Sequence, residues 1–267
     1  MEEVAYRRRV VDLFELDAAY ASVDVHQRQL RERGVSVLPG FVSADTIDAM
    51  VVECDALATE AFHQDVQGTP YLELPDESWP DDHPRKTWSR SSVHTIGYDQ
   101  FPSASLIRAL YESDELLTFL GKVLGREPLY RYADPIGALN LAVMVEGDVL
   151  DWHFDQTDFV VSLAIQSSER GGDFENAAHV RSPDDEHYDN VAALLRDEQR
   201  DDVVVEPMTP GTLMLFEGRH SLHRVTAVEG SRPRYVALFG YDTKPDTVSS
   251  ELLKIIRYGR TEPLAAR

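Results

Sequence analysis

Cysteine is almost absent from this chain of 267 residues, which contains Cys54 alone. A single thiol cannot form a disulfide within the chain, and it excludes a metal site built from several cysteines. Cys54 falls within an apolar pattern of helical spacing, so we expect a buried and unreactive thiol there.

Basic residues are also scarce, because 26 Lys and Arg stand against 47 Asp and Glu and give a formal net charge of −21. A protein this acidic should repel nucleic acid and anionic membrane surfaces, so we expect neither as a partner. We find no secretory leader, no run of 18 apolar residues and no lipidation motif, which favours a cytoplasmic location.

No repeat, low-complexity stretch or linker divides the chain, so we expect one domain over residues 1–267. Its first part, residues 1–128, is predicted to provide helical support and a lid region. Apolar residues at helical spacing predict a helix over residues 11–33, another after Ser43 as N-cap, and one or two over residues 103–125.

Residues 62–100 are the predicted exception, because they show no clear periodicity and contain four prolines before Phe101. Long irregular loops in compact domains are commonly functional. Within this loop Arg90, Trp88 and His94 could close over a site, with Arg90 binding a substrate carboxylate. The alternative is a solvated loop that one tryptophan anchors.

The composition changes at about residue 129, where short runs rich in Val, Leu, Phe and Tyr alternate with Gly, Pro and Asp. Such runs predict a sandwich or a jelly-roll barrel over residues 129–243. One helix, at about residues 189–199, interrupts them, and residues 244–267 form a C-terminal extension. The predicted fold is therefore mainly β with N-terminal helices.

The stretch "DWHFDQTDF" places His153 and Asp155 two residues apart. On a strand these side chains would share one face. With a second histidine from another strand they would make the facial triad that holds Fe(II) and leaves positions open for other ligands. His223 begins the strand-like "HRVTAV", and His220 is its competitor.

Arg234 follows His223 by eleven residues and opens the strand-like "RYVALFGY". The planar guanidinium suits a carboxylate, because it donates two parallel hydrogen bonds. Arg232 competes for this role, but its "SRP" context is typical of an exposed turn. Asn140, a polar residue within the apolar "ALNLAVM", could satisfy backbone groups or bind a co-substrate.

Taken together, "HFD", "LFEGRHSLHRV" and "RPRY" resemble the Fe(II)- and 2-oxoglutarate-dependent dioxygenases. The resemblance implies a double-stranded β-helix, the jelly-roll core of that family. It implies that His153, Asp155 and His223 are the catalytic iron ligands and that Arg234 binds the distal carboxylate of 2-oxoglutarate. Fe(II), 2-oxoglutarate and O₂ are then the expected cofactor and co-substrates.

More narrowly, the chain is similar to a bacterial group that acts on free amino acids and contains both radical halogenases and hydroxylases. In the halogenases a small residue replaces the carboxylate ligand and leaves room for chloride. Asp155 is present here, which favours hydroxylation of a small polar metabolite, such as a free amino acid, by a chain that could form a homo-oligomer. Halogenation, desaturation, cyclisation and peptide hydroxylation stay open, as do a jelly-roll metallohydrolase and a non-catalytic binding module.

Overall fold

The computed structural model describes residues 16–265. Seven α-helices and fifteen strands are assigned in this part of the chain. The helices are α1 (Leu16–Tyr20), α2 (Val23–Arg33), α3 (Ala44–Ala58), α4 (Leu106–Tyr111), α5 (Asp114–Leu124), α6 (Tyr188–Leu195) and α7 (Glu251–Tyr258). The strands are β1 (Val35–Leu38), β2 (Phe62–Gly68), β3 (Ser89–Gly97), β4 (Tyr130–Arg131), β5 (Leu139–Met144), β6 (Val149–His153), β7 (Val160–Gln166), β8 (Arg170–Gly171), β9 (Phe174–Ala177), β10 (Val203–Glu206), β11 (Leu213–Phe216), β12 (Leu222–Val225), β13 (Val228–Glu229), β14 (Arg234–Phe239) and β15 (Tyr241–Asp242).

The main sheet is antiparallel throughout and runs in the order β1-β11-β7-β14-β5-β3-β6-β12-β9-β10, with β2 added beside β3. Consecutive strands of the chain are mostly not neighbours in the sheet, which is the crossing pattern of a jelly roll. The predicted fold class, mainly β with N-terminal helices and a jelly-roll core, is confirmed.

Alternation along β5 shows how the sheet separates two interiors. Leu139, Leu141 and Val143 pack into the larger core, which the sheet shares with the N-terminal helices. Ala142 and Met144 face the other way, into an apolar cluster inside the barrel. The helices therefore support the outer side of the sheet, and the barrel interior is free to hold a site.

The predicted N-terminal helices are present, with one difference. The Ser43 hydroxyl accepts a hydrogen bond from the Thr46 amide, so α3 has the predicted N-cap. The helix predicted over 11–33 is two helices, α1 and α2, with a turn at residues 21–22, and positions 11–15 lie outside the described residues. Cys54 is buried, as expected, and burial raises the pKa of its thiol.

The prediction of an irregular segment over residues 62–100 is wrong. Residues Phe62 to Gly68 pair in continuous register with Thr95 to Ser89, and β3 also pairs with both β5 and β6. These strands are rich in polar residues, so they lack the apolar alternation by which a strand is recognised. Only the segment between β2 and β3, residues 69–88, is a loop.

Among residues 16–265 no helix combines the length and apolarity needed to cross a membrane.

Phe119 tests how the helices are held to the sheet. Its side chain is fully buried and packs against the rings of Phe41 and Tyr20, with centroids 6.3 and 5.4 Å away. We expect Phe119→Ala to lower the free energy of unfolding by about 3–5 kcal/mol, because the cavity would be only partly refilled. Urea unfolding measures this loss. Val52→Ala, on the exposed face of α3, is the control and should change stability by less than about 0.5 kcal/mol; equal losses would contradict the assignment of this core.

Candidate metal centre

Three side chains that could bind a metal converge inside the barrel: His153, Asp155 and His223. The Nε2 atom of His153 lies 3.9 Å from Asp155 Oδ1, and the Nε2 atom of His223 lies 3.4 Å from Asp155 Oδ2. The two imidazole rings are 4.3 Å apart, centroid to centroid. The structure thus brings together the three residues that the sequence pattern selected.

The two histidines meet because β6 and β12 are neighbouring strands. His223 is directly opposite His153, whereas Val225 is opposite Leu150, so β6 has one residue more than β12 over this interval. The extra residue is a β-bulge, which re-aims side chains. As a result Trp152 packs into an outer apolar cluster, while Leu150 and the ring of His153 both point into the barrel.

Asp155 does not lie on a strand, contrary to the sequence argument. The strand β6 ends at His153, and the Asp155 amide then donates a hydrogen bond to the Gly218 carbonyl, 3.0 Å away. A Cβ at position 218 would overlap the Asp155 carboxylate, so only glycine leaves room for it. The pairing with Gly218, rather than strand periodicity, turns this carboxylate toward the histidines.

Backbone carbonyls orient both imidazoles. The Nδ1 atom of His153 is 2.7 Å from the Asp151 carbonyl, and the Nδ1 atom of His223 is 3.0 Å from the Ser221 carbonyl. A carbonyl only accepts, so Nδ1 carries the proton and the Nε2 lone pair faces the site. Burial, reinforced by His223, lowers the pKa of His153 to about 4, so this ring is neutral at pH 7.

The donor set fits a divalent transition metal. Asp155 Oδ2 is buried and accepts no hydrogen bond from the described residues. Burying a carboxylate oxygen without a partner costs free energy, unless a bound metal or ligand interacts with that oxygen. Two neutral imidazole nitrogens with one carboxylate form the 2-His-1-carboxylate set of non-haem Fe(II) sites.

A buried and unpaired cation lies in the same interior. Arg234 is the first residue of β14, opposite Met144, and is 6 % exposed. Its guanidinium donates a hydrogen bond to the Met144 sulfur at 3.8 Å, and within 4.0 Å no carboxylate of residues 16–265 pairs with it. Burial lowers the pKa of Arg234 to about 10, so the guanidinium stays charged at neutral pH. The site therefore offers an anion a charged partner in a low-dielectric surrounding.

Further polar side chains lie on the strands of this barrel. Ser162 on β7 and Asn140 on β5 both lie opposite Leu238 of β14 and share its inward face. The Ser162 hydroxyl and the Asn176 side-chain oxygen are buried and unpaired among the described groups. Ser162 and Asn176 were missed from the sequence, although a polar residue in the apolar run "VVSLAIQ" is the same signal that selected Asn140.

The residues predicted to close over the site lie on or next to β3, which pairs with β6, and two of them have charged partners of their own. The Arg90 guanidinium makes two hydrogen bonds of 2.9 and 2.8 Å with Asp65, and Trp88 is 59 % exposed. His94 is 3.1 Å from the carboxylate of Asp148. In the described part of the chain none of these three residues forms a hydrogen bond or an ion pair with the triad, so their role as a lid stays a prediction.

Two residues had competed with Arg234 and His223 in the sequence, namely Arg232 and His220, and the structure describes both. The exposed Arg232 donates to the carbonyls of Ser167 and Ser168, and the half-buried His220 lies in the same turn as Gly218.

Comparison with known proteins adds a family and a fold. A family model described as Halogenase D matches residues 19–254. No curated protein matches the chain.

Solved structures match over most of their length. The non-heme alpha ketoglutarate dependent carbocyclase SnoK from nogalamycin biosynthesis has a TM-score of 0.59 at 16 % identity, covering 91 % of this chain and 93 % of SnoK. The epimerase SnoN from the same biosynthesis has a TM-score of 0.58 at 13 % identity, covering 92 % and 91 % of the two chains. A prolyl hydroxylase from Trichoplax adhaerens, in complex with a hypoxia inducible factor peptide, has a TM-score of 0.58 at 13 % identity, covering 87 % and 94 %. At these identities the likeness shows the fold alone.

Gly218 offers a direct test of the site geometry. We expect Gly218→Ala to lower the affinity for Fe(II) by about 10–100-fold, because the added Cβ displaces the Asp155 carboxylate. Anaerobic equilibrium titration of the apoprotein measures the effect. Gly40→Ala is the control, because an added Cβ there meets nothing within 4 Å. The φ of +67° at Gly40 makes that substitution strain the backbone, so the control also shows whether strain alone lowers the affinity. An unchanged affinity in Gly218→Ala would show that Asp155 is held in some other way.

Proposed function

We propose that this chain, which belongs to the Halogenase D family, is an Fe(II)- and 2-oxoglutarate-dependent oxygenase that hydroxylates an unactivated C–H bond of a small polar metabolite. The observation that carries the proposal is the pairing, inside one barrel, of a two-histidine, one-carboxylate centre with a buried guanidinium that has no carboxylate partner among the described residues. A buried carboxylate oxygen without a partner and a buried unpaired guanidinium each lower the stability of the fold. A metal would bind the carboxylate, and a dianionic co-substrate would pair with the guanidinium.

His153, Asp155 and His223 would hold the iron. Their Nε2 atoms and carboxylate face one another, and the carboxylate offsets part of the positive charge of a divalent ion. The rings of Phe174 and Phe216 pack against His223, with centroids 5.6 and 5.0 Å away, and keep water from that side. Iron bound there with 2-oxoglutarate and O₂ would supply the oxidation of the C–H bond, releasing succinate and CO₂.

Arg234 would bind the distal carboxylate of 2-oxoglutarate. Its charge is retained despite burial, and a charge-assisted hydrogen bond is stronger in an apolar surrounding than in water. Ser162 and Asn140, which share its inward face, would supply further hydrogen bonds to the co-substrate. The interior would thus fix the co-substrate at one end by charge and at the other by the metal.

Asp155 favours hydroxylation within a family described by halogenation. A carboxylate ligand takes the coordination position that a halide would need, and Gly218 gives the carboxylate its space. A free amino acid or similar metabolite is the proposed substrate, on the resemblance stated above. Halogenation is the second candidate, and the family description favours it. The mass of the product separates the two reactions.

Arg234→Ala tests the co-substrate site. We expect the apparent affinity for 2-oxoglutarate to fall by about 10–100-fold, since hydrogen bonds to a charged group are worth about 1.5–3 kcal/mol. The visible band that appears when Fe(II) and 2-oxoglutarate are added without oxygen is the readout. Arg232→Ala, at the exposed neighbouring arginine, should leave the band unchanged. If Arg234→Ala gives the full band at the 2-oxoglutarate concentration that the unsubstituted protein needs, another residue binds the distal carboxylate.

Asp155→Ala tests the ligand assignment and the fate of the substrate. We expect less than about 1 % of the hydroxylation to survive, because even groups that only orient ligands cost about 10–100-fold. Succinate release and product mass are measured with an amino-acid panel, with and without added chloride. Asp158→Ala is the matched control, because Asp158 is an exposed acid in the same stretch and pairs with Arg126 and Arg219. Full hydroxylation in Asp155→Ala would rule out this carboxylate as a ligand.

A further inference from the structure

A second group of two histidines and one carboxylate lies on the outer side of the barrel. It consists of His63 on β2, His94 on β3 and Asp148 in the turn between β5 and β6. His63 and His94 are directly opposite each other in the β2–β3 ladder, and their rings stack with centroids 4.0 Å apart. The Nε2 atom of His63 lies 3.6 Å from one Asp148 oxygen, and the Nδ1 atom of His94 lies 3.1 Å from the other.

These distances suit a metal ion. Donor atoms around a tetrahedral zinc are roughly 3.3 Å apart when each is about 2.0 Å from the ion. The two nitrogen–oxygen distances of 3.6 and 3.1 Å lie on either side of that value. The two imidazole planes are only 10° apart, so the rings must turn about their side-chain bonds before both can point a nitrogen at one ion. The side chains are 44 % and 25 % exposed, which leaves room for that rotation and lets solvent complete the coordination.

Hydrogen bonds fix the orientation of the Asp148 carboxylate, as they do for carboxylates that bind metals. Its side chain is only 5 % exposed, and it accepts hydrogen bonds from the Ser92 hydroxyl at 2.6 Å and from the Val145 amide at 2.9 Å. Such contacts fix the orientation of a coordinating carboxylate. The Ser92 hydroxyl is also 3.1 Å from His63 Nε2 and accepts its proton, because its own proton goes to Asp148. One side chain thus contacts two of the three donors, and a metal would displace the Nε2 proton.

The charge around the cluster favours a cation. Arg90 is held by Asp65, and its pKa is raised first by that hydrogen bond and further by the charges of Asp148 and Asp151. Three carboxylates therefore lie near one guanidinium. The local excess of negative charge attracts a divalent cation and disfavours an anion.

The cluster is separate from the catalytic centre. Asp148 precedes β6 and His153 ends it, so the two sites are about 15 Å apart along the strand. On β3, His94 pairs with Val143, which packs against the helices, whereas the side chains of the catalytic centre point into the barrel. One ion cannot serve both sites.

We propose that His63, His94 and Asp148 form a second metal site, which takes a divalent transition cation of the zinc type and ties the β2–β3 hairpin to the turn between β5 and β6. Two imidazoles and a carboxylate match the ligands that Zn²⁺ takes with three protein donors and water. The bridge joins β2, which pairs only with β3 among the described strands, to the wall of the barrel. The site stabilises the strand framework and takes no part in the oxidation.

Zinc binding to the full-length apoprotein tests the proposal. The variant His153→Ala/His223→Ala removes the catalytic centre, and we expect it to bind one equivalent of Zn²⁺ in isothermal titration. Adding His94→Ala or the conservative His63→Gln should weaken this remaining equivalent by at least tenfold. In the catalytic double variant, Zn²⁺ should also raise the thermal unfolding midpoint, and His63→Gln should abolish that rise.

His187→Ala in the same background is the matched control. His187 is 45 % exposed and lies 3.4 Å from the Asp185 carboxylate, but it belongs to neither three-residue cluster of the described chain. Its loss should leave the zinc equivalent intact. No zinc equivalent in the catalytic double variant would overturn the proposal, as would an equivalent that survives both His63→Gln and His94→Ala. Circular dichroism of each variant without metal shows whether it folds, and His63→Gln, at an exposed position, serves as the test should His94→Ala unfold.

Discussion

The site depends on the cross-strand pair of His153 and His223 and on the bulge beside it. Antiparallel pairing fixes how far apart the two rings are, and the bulge decides that the His153 ring faces inward. Regular alternation from the inward Leu150 would turn position 153 outward and leave His223 without a second nitrogen donor. The rest of the interior, including the backbone contact between Asp155 and Gly218, completes a geometry that this one irregularity makes available.

The buried guanidinium of Arg234 imposes the second constraint. An uncompensated charge inside a protein destabilises the fold, so a barrel with this arginine opposite Met144 gives up stability in the absence of an anion. The neighbouring strands and the outer helical core supply that stability from the other side of the sheet. The same apolar lining that makes the charge costly strengthens its attraction for a carboxylate. Here the requirements of folding and binding oppose each other, which is typical of functional sites.

The sequence predicted the jelly roll because short apolar runs separated by Gly, Pro and Asp follow one another in its C-terminal half. The family match confirms the resemblance that the motifs indicated. The triad was selected by spacing, yet for Asp155 the strand argument was wrong, since the Gly218 carbonyl holds it beyond the end of β6. The strands β2 and β3 were missed because their residues are mainly polar. His94 was accordingly assigned to a lid, although its partner Asp148 is 54 residues away in the chain. Contacts of that range are set by strand pairing, which local patterns do not encode.

Two similar donor sets in one chain differ in what their carboxylates still need. Asp148 already accepts hydrogen bonds from Ser92 and Val145, one at each carboxylate oxygen. A metal there would add to a carboxylate whose oxygens already have partners. Asp155 keeps one buried oxygen without a hydrogen-bond partner among the described residues, in the interior that also holds Arg234. A carboxylate held by its neighbours suits an ion that stays and stiffens the framework. A carboxylate that lacks partners, beside an unpaired cation, suits a centre whose other ligands bind and leave during turnover. The surroundings of each carboxylate, rather than the identity of the donors, thus separate a structural site from a catalytic one.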